Sequence, residues 1–500
     1  MSAPRDVLER AFPPPGDAFA RLTTRRDRRD RNRRIADGAV AIVIVVALVA
    51  ALIGAVTHQQ RHEPAGLITP SNVGQLGLAW WGSMSPPASS QPVVDGERVY
   101  VVSDDGTLAA FSTECATDTC SPIWSAKQSQ GSATPRGSAI VDSGRVYQPS
   151  SDGRLVGYPT SCDASPCQPD WIGDAAGDLT SADPVASGGS VFVAGQSCCH
   201  GSSSSGELFA FAESCTSYPE PCRPVWRGSI PGGFEGGQPI VVGDRVYVGS
   251  KDGTVEAFPT DCAAVARRCD PVWTARTHGP RLGTQPSRIQ SPLVANGSNL
   301  FVPSGSWVYA FPLSCDASPC SPSWIARRPD GWINDLTATS EFVYASELPH
   351  TVYPRPGFPG GTVVYPTDCA HPCKPAWVYE HRLSSPVIAN GVAYLFGSGD
   401  PGDRAFDAAC GAGADACPSL WTMGLDNGSS HVPATVVDGT VYVTGDDGNL
   451  HVFRLGGSAT CCVPASRGVG QPAGDLVFYG ALLGGVAWFV ARRRRRFRAL

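Results

Sequence analysis

A tryptophan recurs along most of this chain at intervals of 44, 47, 55, 47, 51, 53 and 44 residues: Trp80, Trp124, Trp171, Trp226, Trp273, Trp324, Trp377 and Trp421. Each interval carries a short aromatic strand. The copies are Arg98-Val99-Tyr100-Val101, Arg145-Val146-Tyr147, Ser190-Val191-Phe192-Val193, Arg245-Val246-Tyr247-Val248, Leu300-Phe301-Val302, Phe342-Val343-Tyr344, Val392-Ala393-Tyr394-Leu395 and Val441-Tyr442-Val443. Four of them run into an Asp-Gly turn (Asp105-Gly106, Asp152-Gly153, Asp252-Gly253, Asp447-Gly448), a strong hairpin signal. Four short strands in this span make one blade of a β-propeller. The composition agrees: 56 Gly and 44 Pro suit turns, and 3 Met leave few long amphipathic helices.

The count also closes the ring. The eighth repeat, residues 431–456, has three strands and ends at His451-Val452-Phe453 without a tryptophan strand. The chain begins with a spare one, Leu78-Ala79-Trp80-Trp81. Pairing the spare with the gap removes the edge that would invite aggregation. The sequence therefore predicts an all-β, eight-bladed propeller over 76–456, closed by its N-terminal strand.

The ends read as membrane anchors. Residues 39–57 are 19 residues without a charge, roughly 28 Å as a helix, and residues 476–491 are a second, shorter uncharged run. Basic flanks lie outside both: ten Arg in 1–34, and Arg492 to Arg496 with Arg498. The positive-inside rule then puts both termini in the cytoplasm and the propeller outside. The expected order is a basic segment (1–34), a transmembrane helix (35–57), a linker (58–75), the propeller (76–456), a linker (457–474), a second helix (475–491) and a basic tail (492–500). A cleaved signal peptide and a removed sorting tail are the competing readings of the two ends. Between the anchors 23 basic residues face 39 acidic ones, about -16, which repels nucleic acid.

Fourteen of the 18 cysteines form seven spaced pairs: Cys115/Cys120, Cys162/Cys167, Cys215/Cys222, Cys262/Cys269, Cys315/Cys320, Cys369/Cys373 and Cys410/Cys417. In each, the second cysteine lies four residues before the blade tryptophan while the loop length varies. This reads as a disulfide clamping a hairpin, worth about 2 kcal/mol each by loop entropy. Zinc is disfavoured because the pairs belong to different blades. Two vicinal pairs remain, Cys198-Cys199 and Cys461-Cys462.

The Val-Tyr-Val, Asp-Gly and Trp pattern resembles the repeat of the PQQ-type (quinoprotein-like) β-propellers over residues 76–456. That family includes pyrroloquinoline quinone dehydrogenases, an outer-membrane assembly lipoprotein and sensor ectodomains of membrane kinases. A dehydrogenase of this kind would be expected to carry a vicinal disulfide over the quinone, for which Cys198 and Cys199 are the candidates, together with calcium. The family's Glu/Asn/Asp calcium set, Asp base and Trp floor have no match here.

Strands A to D of a blade run from the axis outward, so the B–C and D–A connections share an upper face and the A–B and C–D connections a lower one. Both chain ends leave from the lower face. On the upper face two B–C connections are long, Gln196 to Gly206 and Ser346 to Gly361, and insertions on one rim of a rigid scaffold are where ligands bind. The expected ligand face holds His200, His278, Arg281, Arg327, Arg328, His350, Arg355 and His381, with Arg288, Asp330, Trp332, Asn334 and Asp335 in the D–A loops. No catalytic residue, metal site or resident cofactor is expected. The expected partners are the membrane and an extracytoplasmic protein or ligand; a PQQ- and calcium-dependent dehydrogenase is the alternative.

Overall fold

The computed structural model describes residues 66–458, apart from 85–86, 128–136, 151, 176, 180–182, 198–204, 217, 263–266, 278–287, 329–330, 350–359, 380–385, 397–402, 411–416, 424–431 and 446. Both apolar end segments, Cys461-Cys462 and the basic tails lie outside the described residues. Among the described residues no helix is long and apolar enough to cross a membrane.

Eight antiparallel sheets follow one another along the chain. Blade 1, for example, takes Val93–Asp95, Arg98–Val102, Thr107–Ser112 and Trp124–Lys127 as strands A to D. Blade 8 is completed from both ends: Thr435–Val437, Thr440–Thr444 and Leu450–Leu455 are joined by Leu76–Gly82, which pairs antiparallel with Leu450–Leu455. The closing strand is thus the spare tryptophan strand of the sequence.

The aromatic repeat is the cement between blades. All eight blade tryptophans meet the strand-C Phe or Tyr of the next blade: Trp80–Phe111, Trp124–Tyr158, Trp171–Phe211, Trp226–Phe258, Trp273–Phe311, Trp324–Tyr365, Trp377–Phe406 and Trp421–Phe453, with centroids 5.4–6.5 Å apart. Several also touch the aromatic of their own strand B, as Trp171 does with Tyr147 at 5.2 Å. The indole N–H groups of Trp80, Trp171, Trp226, Trp324 and Trp421 donate to the carbonyls of Thr113, Ala212, Thr260, Thr367 and Leu76, all in the following blade. Apolar clusters built this way span every interface of the ring.

Each of the seven cysteine pairs is joined as a disulfide, with Cα atoms 5.3–6.2 Å apart. In six of them the role extends beyond the hairpin, because the clamp lies along strand D of the preceding blade. Thr119–Cys120 pairs with Trp81–Gly82, and Arg268–Cys269 with Arg227–Gly228. The amides of Cys167, Cys222, Cys320 and Cys373 donate to Ser125, Ile172, Thr274 and Ile325. Each acceptor in that set is the residue after a tryptophan, so the second cysteine must hold register with the neighbouring blade while the first need not. This explains the fixed Cys-to-Trp spacing beside a variable loop. It also covers an outer edge that would otherwise be open to pairing.

The seventh clamp is a disulfide as expected but packs differently. Cys410 and Cys417 are bonded, with Cα atoms 5.8 Å apart, but residues 411–416 between them lie outside the described residues. Among the described residues Cys417 forms no ladder with the outer strand of blade 6, Trp377–Tyr379. It is half-buried against the cluster that holds Trp377 and Phe406, whereas Cys167, Cys222, Cys269, Cys320 and Cys373 are buried. The local sequence gives the reason. In the other six pairs a proline follows the second cysteine at two residues, as in Cys222-Arg223-Pro224, while Pro418 follows Cys417 directly. A proline restricts the backbone of the residue before it and cannot itself donate, so the segment loses the ladder geometry of the others. Equal Cys-to-Trp spacing at Cys417 therefore concealed a different contact.

Blade 8 draws its outer strand from the other end of the chain and has no clamp among the described residues. In its place residues 68–76 cover blade 7: Ile68, Val73 and Leu76 pack with Leu420 and Trp421.

Candidate functional site

Two blades rise above the upper face. In blade 3, strand B runs Ser190–Ser197 and its end pairs with an added strand, Gly177–Asp178. In blade 6, strands Gly331–Ala338 and Phe342–Pro349 are eight residues each and pair along most of their length. These are the blades whose B–C connections are long. The ladder takes up part of what the sequence assigned to loops: Gln196–Ser197 and Ser346–Pro349 are strand, and so are Trp332, Asn334 and Asp335. The reason is mutual, because each extended strand B finds a partner in an extended inner segment.

Of the expected ligand-face residues, Arg288, Arg327, Arg328, Trp332, Asn334 and Asp335 are among the described residues; His200, His278, Arg281, Asp330, His350, Arg355 and His381 lie outside them, as do the candidates Cys198 and Cys199. Arg328 is engaged by the fold. Its guanidinium meets the fully buried carboxylate of Glu347 at 2.9 and 3.2 Å, tying the end of blade 5 to the raised strand of blade 6. Arg327 ends strand D of blade 5 and lies 5.1 Å over the Trp307 ring. Beside them, the amide of Ile333 donates to Gly305, which seats the raised strand on blade 5 and leaves Trp332 exposed. The two arginines, Trp307 and Trp332 therefore form one wall of the upper mouth, with the buried Glu347 behind it. Arg288 belongs to the same face, held by both Glu235 oxygens at 3.1 Å.

The residues entering the inner strands line the channel. Asp183 and Asp335 occupy equivalent places in blades 3 and 6, two positions before residues that pair with the strand-B aromatics Phe192 and Tyr344. The Ser138 amide donates to Asp183, and the Leu336 amide to Asp335 at 2.8 Å. Burial raises the Asp183 carboxyl to about 6 against the lowering pull of the Ser138 amide, and the like charge of Asp335 three blades away adds to the rise. Gln91 and Gln238 stand at the same level and donate to neighbouring blades at Ala434 and Pro184.

The Asp-Gly turns of this face are rigid. Asp105 accepts from the Ser103 hydroxyl and the Thr107 amide, and Asp252 from Ser250 and Thr254 in the same way. Gly106 and Gly253 take φ of 80° and 81°, which a residue with a Cβ rarely adopts. In blade 8, Asp447 meets His451 at 3.0 Å; burial would raise its carboxyl, but the His451 contact holds it below the usual range.

Sequence reading missed the buried acids, Glu256 among them. Glu256 replaces, on strand C of blade 4, the small or apolar residues Ala109 and Val156 of blades 1 and 2. It is 5% exposed, and its Oε2 has no hydrogen-bond partner. Burial, with a smaller push from Asp252, raises it to about 8. The only signal was a lone Glu in Thr-Val-Glu-Ala-Phe.

Among the described residues no three His, Cys, Asp or Glu side chains converge to hold a metal ion. The mouth's two channel acids lie in different blades, and its arginines are engaged with Glu347 and Trp307. These described donors do not converge as a calcium set, and Cys198 and Cys199, the candidates for covering a quinone, lie outside the described residues.

Residues 77–197 match the family described as outer membrane protein assembly factor BamB. No curated protein matches the chain in sequence. Among solved structures the chain is similar to BamB from Moraxella catarrhalis, at 14% identity over 77% of this chain and 99% of that one, TM-score 0.53. It is also similar to the quinohemoprotein alcohol dehydrogenase of Comamonas testosteroni, at 15% identity over 83% and 81%, TM-score 0.57. At these identities the likeness is one of fold. The ring is a PQQ-like, eight-bladed β-propeller.

Proposed function

We propose that this chain is a membrane-anchored, extracytoplasmic propeller that binds a protein or ligand at its upper mouth and catalyses no reaction. The observation that carries the reading is the pair of raised walls on blades 3 and 6, the blades that also bear the two long B–C connections. Eight blades cemented by aromatics hold those walls rigid, so a partner meets a preformed surface. The exposed Trp332 and the Arg327–Trp307 stack supply the aromatic and cationic groups common in binding hot spots. The flanking apolar segments and the seven disulfides, which persist in an oxidising compartment, support a position outside the cytoplasmic membrane.

The test uses the purified full-length chain as bait on membrane and extracytoplasmic extracts. A discrete partner should be captured by the parent, lost with Trp332→Ala, and retained when Ile123 on the lower face is changed to Ser. Capture indifferent to Trp332 but sensitive to Ile123 would move the site to the other face and defeat the proposal.

A further inference from the structure

The seam between blades 2 and 3 holds an acid that packing does not require. Glu213 lies two residues before the first cysteine of its clamp. The same position is threonine in four clamps (Thr113, Thr160, Thr260 and Thr367) and apolar in the other two, Leu313 and Ala408. Glu213 is 6% exposed, and its Oε1 has no hydrogen-bond partner. A dry carboxylate oxygen without a donor is costly, and it calls for a positive charge beside it.

Glu213 reaches across the seam to the A–B turn of blade 2. The Ser143 hydroxyl oxygen lies 2.7 Å from Asp142 Oδ2 and 2.8 Å from Glu213 Oε2. That hydroxyl has one proton, so it donates to one of the two carboxylates and not to both. Arg145, the cation that acts on Glu213, is committed elsewhere. Its Nε donates to both oxygens of Asp170 at 2.9 and 3.1 Å, and its Nη1 to the main-chain carbonyl of Glu213 at 3.1 Å. Three carboxylates, Asp142, Asp170 and Glu213, thus share one guanidinium, and two negative charges are left over when all are ionised. Burial raises the Glu213 carboxyl and contact with Asp142 raises it further, against lowering pulls from Ser143 and Arg145.

Two carboxylates and a hydroxyl are hard oxygen donors, suited to a hard divalent ion. In a pentagonal plane around calcium, oxygens about 2.4 Å from the ion stand about 2.8 Å from their neighbours. That is the spacing from Asp142 through Ser143 to Glu213. Asp142 is half-buried and Ser143 exposed, which leaves a way in from solvent and room for the waters that complete a calcium shell.

We infer that Asp142, Ser143 and Glu213 form a calcium site that staples blade 2 to blade 3. The staple sits at the foot of a raised wall. The Glu213 amide donates to the Gly189 carbonyl at 3.0 Å, and the raised strand Ser190–Ser197 begins at the next residue.

The purified full-length chain is stripped with EGTA and titrated near neutral pH with calcium chloride or, for comparison, magnesium chloride. Hydrogen exchange around Glu213 is followed by mass spectrometry. Calcium at about 1 mM, the working range of extracellular calcium modules, should slow that exchange at least threefold, and magnesium should not. Glu213→Gln should abolish the calcium effect. Asp142→Asn, a change in a half-buried turn, should keep the fold and raise the calcium required at least tenfold. A calcium effect that survives both substitutions places the ion elsewhere and overturns the site, and an equal effect of magnesium overturns the calcium assignment. No response to calcium, with protection that instead grows as the pH is lowered, assigns the positive charge to a shared proton and refutes the staple.

Discussion

Glu256→Gln should stabilise the protein, and by an amount that depends on pH. The carboxyl is buried between blades 3 and 4 with an unpartnered oxygen, and it is raised from 4.5 to about 8. A raised acid contributes most to stability below its unfolded value. That contribution falls as pH climbs from 4.5, and it stops changing above about 8. At about 1.4 kcal/mol per unit, the cost is about 3 kcal/mol at pH 7 and on the order of 5 kcal/mol above pH 8. Glutamine keeps the shape and cannot ionise. Urea unfolding with the disulfides intact, followed from pH 4 to 9, should show parent and variant coinciding at pH 4 and diverging steadily to pH 8. A difference that is flat with pH, or a variant less stable than the parent at pH 8, would refute the reasoning.

Three further outcomes follow from the packing. Cys215→Ser with Cys222→Ser should cost about 2–3 kcal/mol by loop entropy; hydrogen exchange should quicken at the Asp174 amide in blade 2, which donates to Cys222, and not only in blade 3. Arg328→Ala leaves the fully buried Glu347 without its guanidinium and should lower stability by about 3–5 kcal/mol, while Arg328→Met with Glu347→Leu recovers most of the loss. Trp324→Phe gives up the 3.0 Å hydrogen bond to Thr367, whereas the buried indole N–H of Trp273 has no partner, so Trp324→Phe should cost about 1 kcal/mol more than Trp273→Phe in thermal unfolding.

The ring was legible because its signal is periodic: an aromatic strand and a tryptophan in every unit make contacts that repeat. The clamps were legible as pairs, but their partner blade was not. The cysteine amide meets a backbone carbonyl some 45 residues earlier, and a carbonyl has no sequence signature. The odd clamp, Cys410–Cys417, looked like the rest because its cysteine spacing to Trp421 is the same; the displaced Pro418 was the signal that set it apart. The raised walls were half legible. Phe342 to Leu348 alternates like a strand, yet the proline-rich run after it favours a loop reading, and only the pairing with Gly331–Ala338 extends the ladder. Arg327 and Arg328 looked like free cations because sequence places them in a connection; Glu347, which consumes one of them, is nineteen residues away. Asp183 and Asp335 share a repeat position, but their mutual repulsion follows from ring closure and cannot be read from a linear chain.

The proposed binding role and a quinone dehydrogenase differ most sharply in what the purified chain does with pyrroloquinoline quinone. The direct measurement is titration of the purified full-length chain with pyrroloquinoline quinone and calcium, recording quinone absorbance and then dye reduction with a panel of alcohols. A binding propeller gives no stoichiometric quinone signal and no turnover; a saturable one-to-one signal with dye reduction would contradict the binding role.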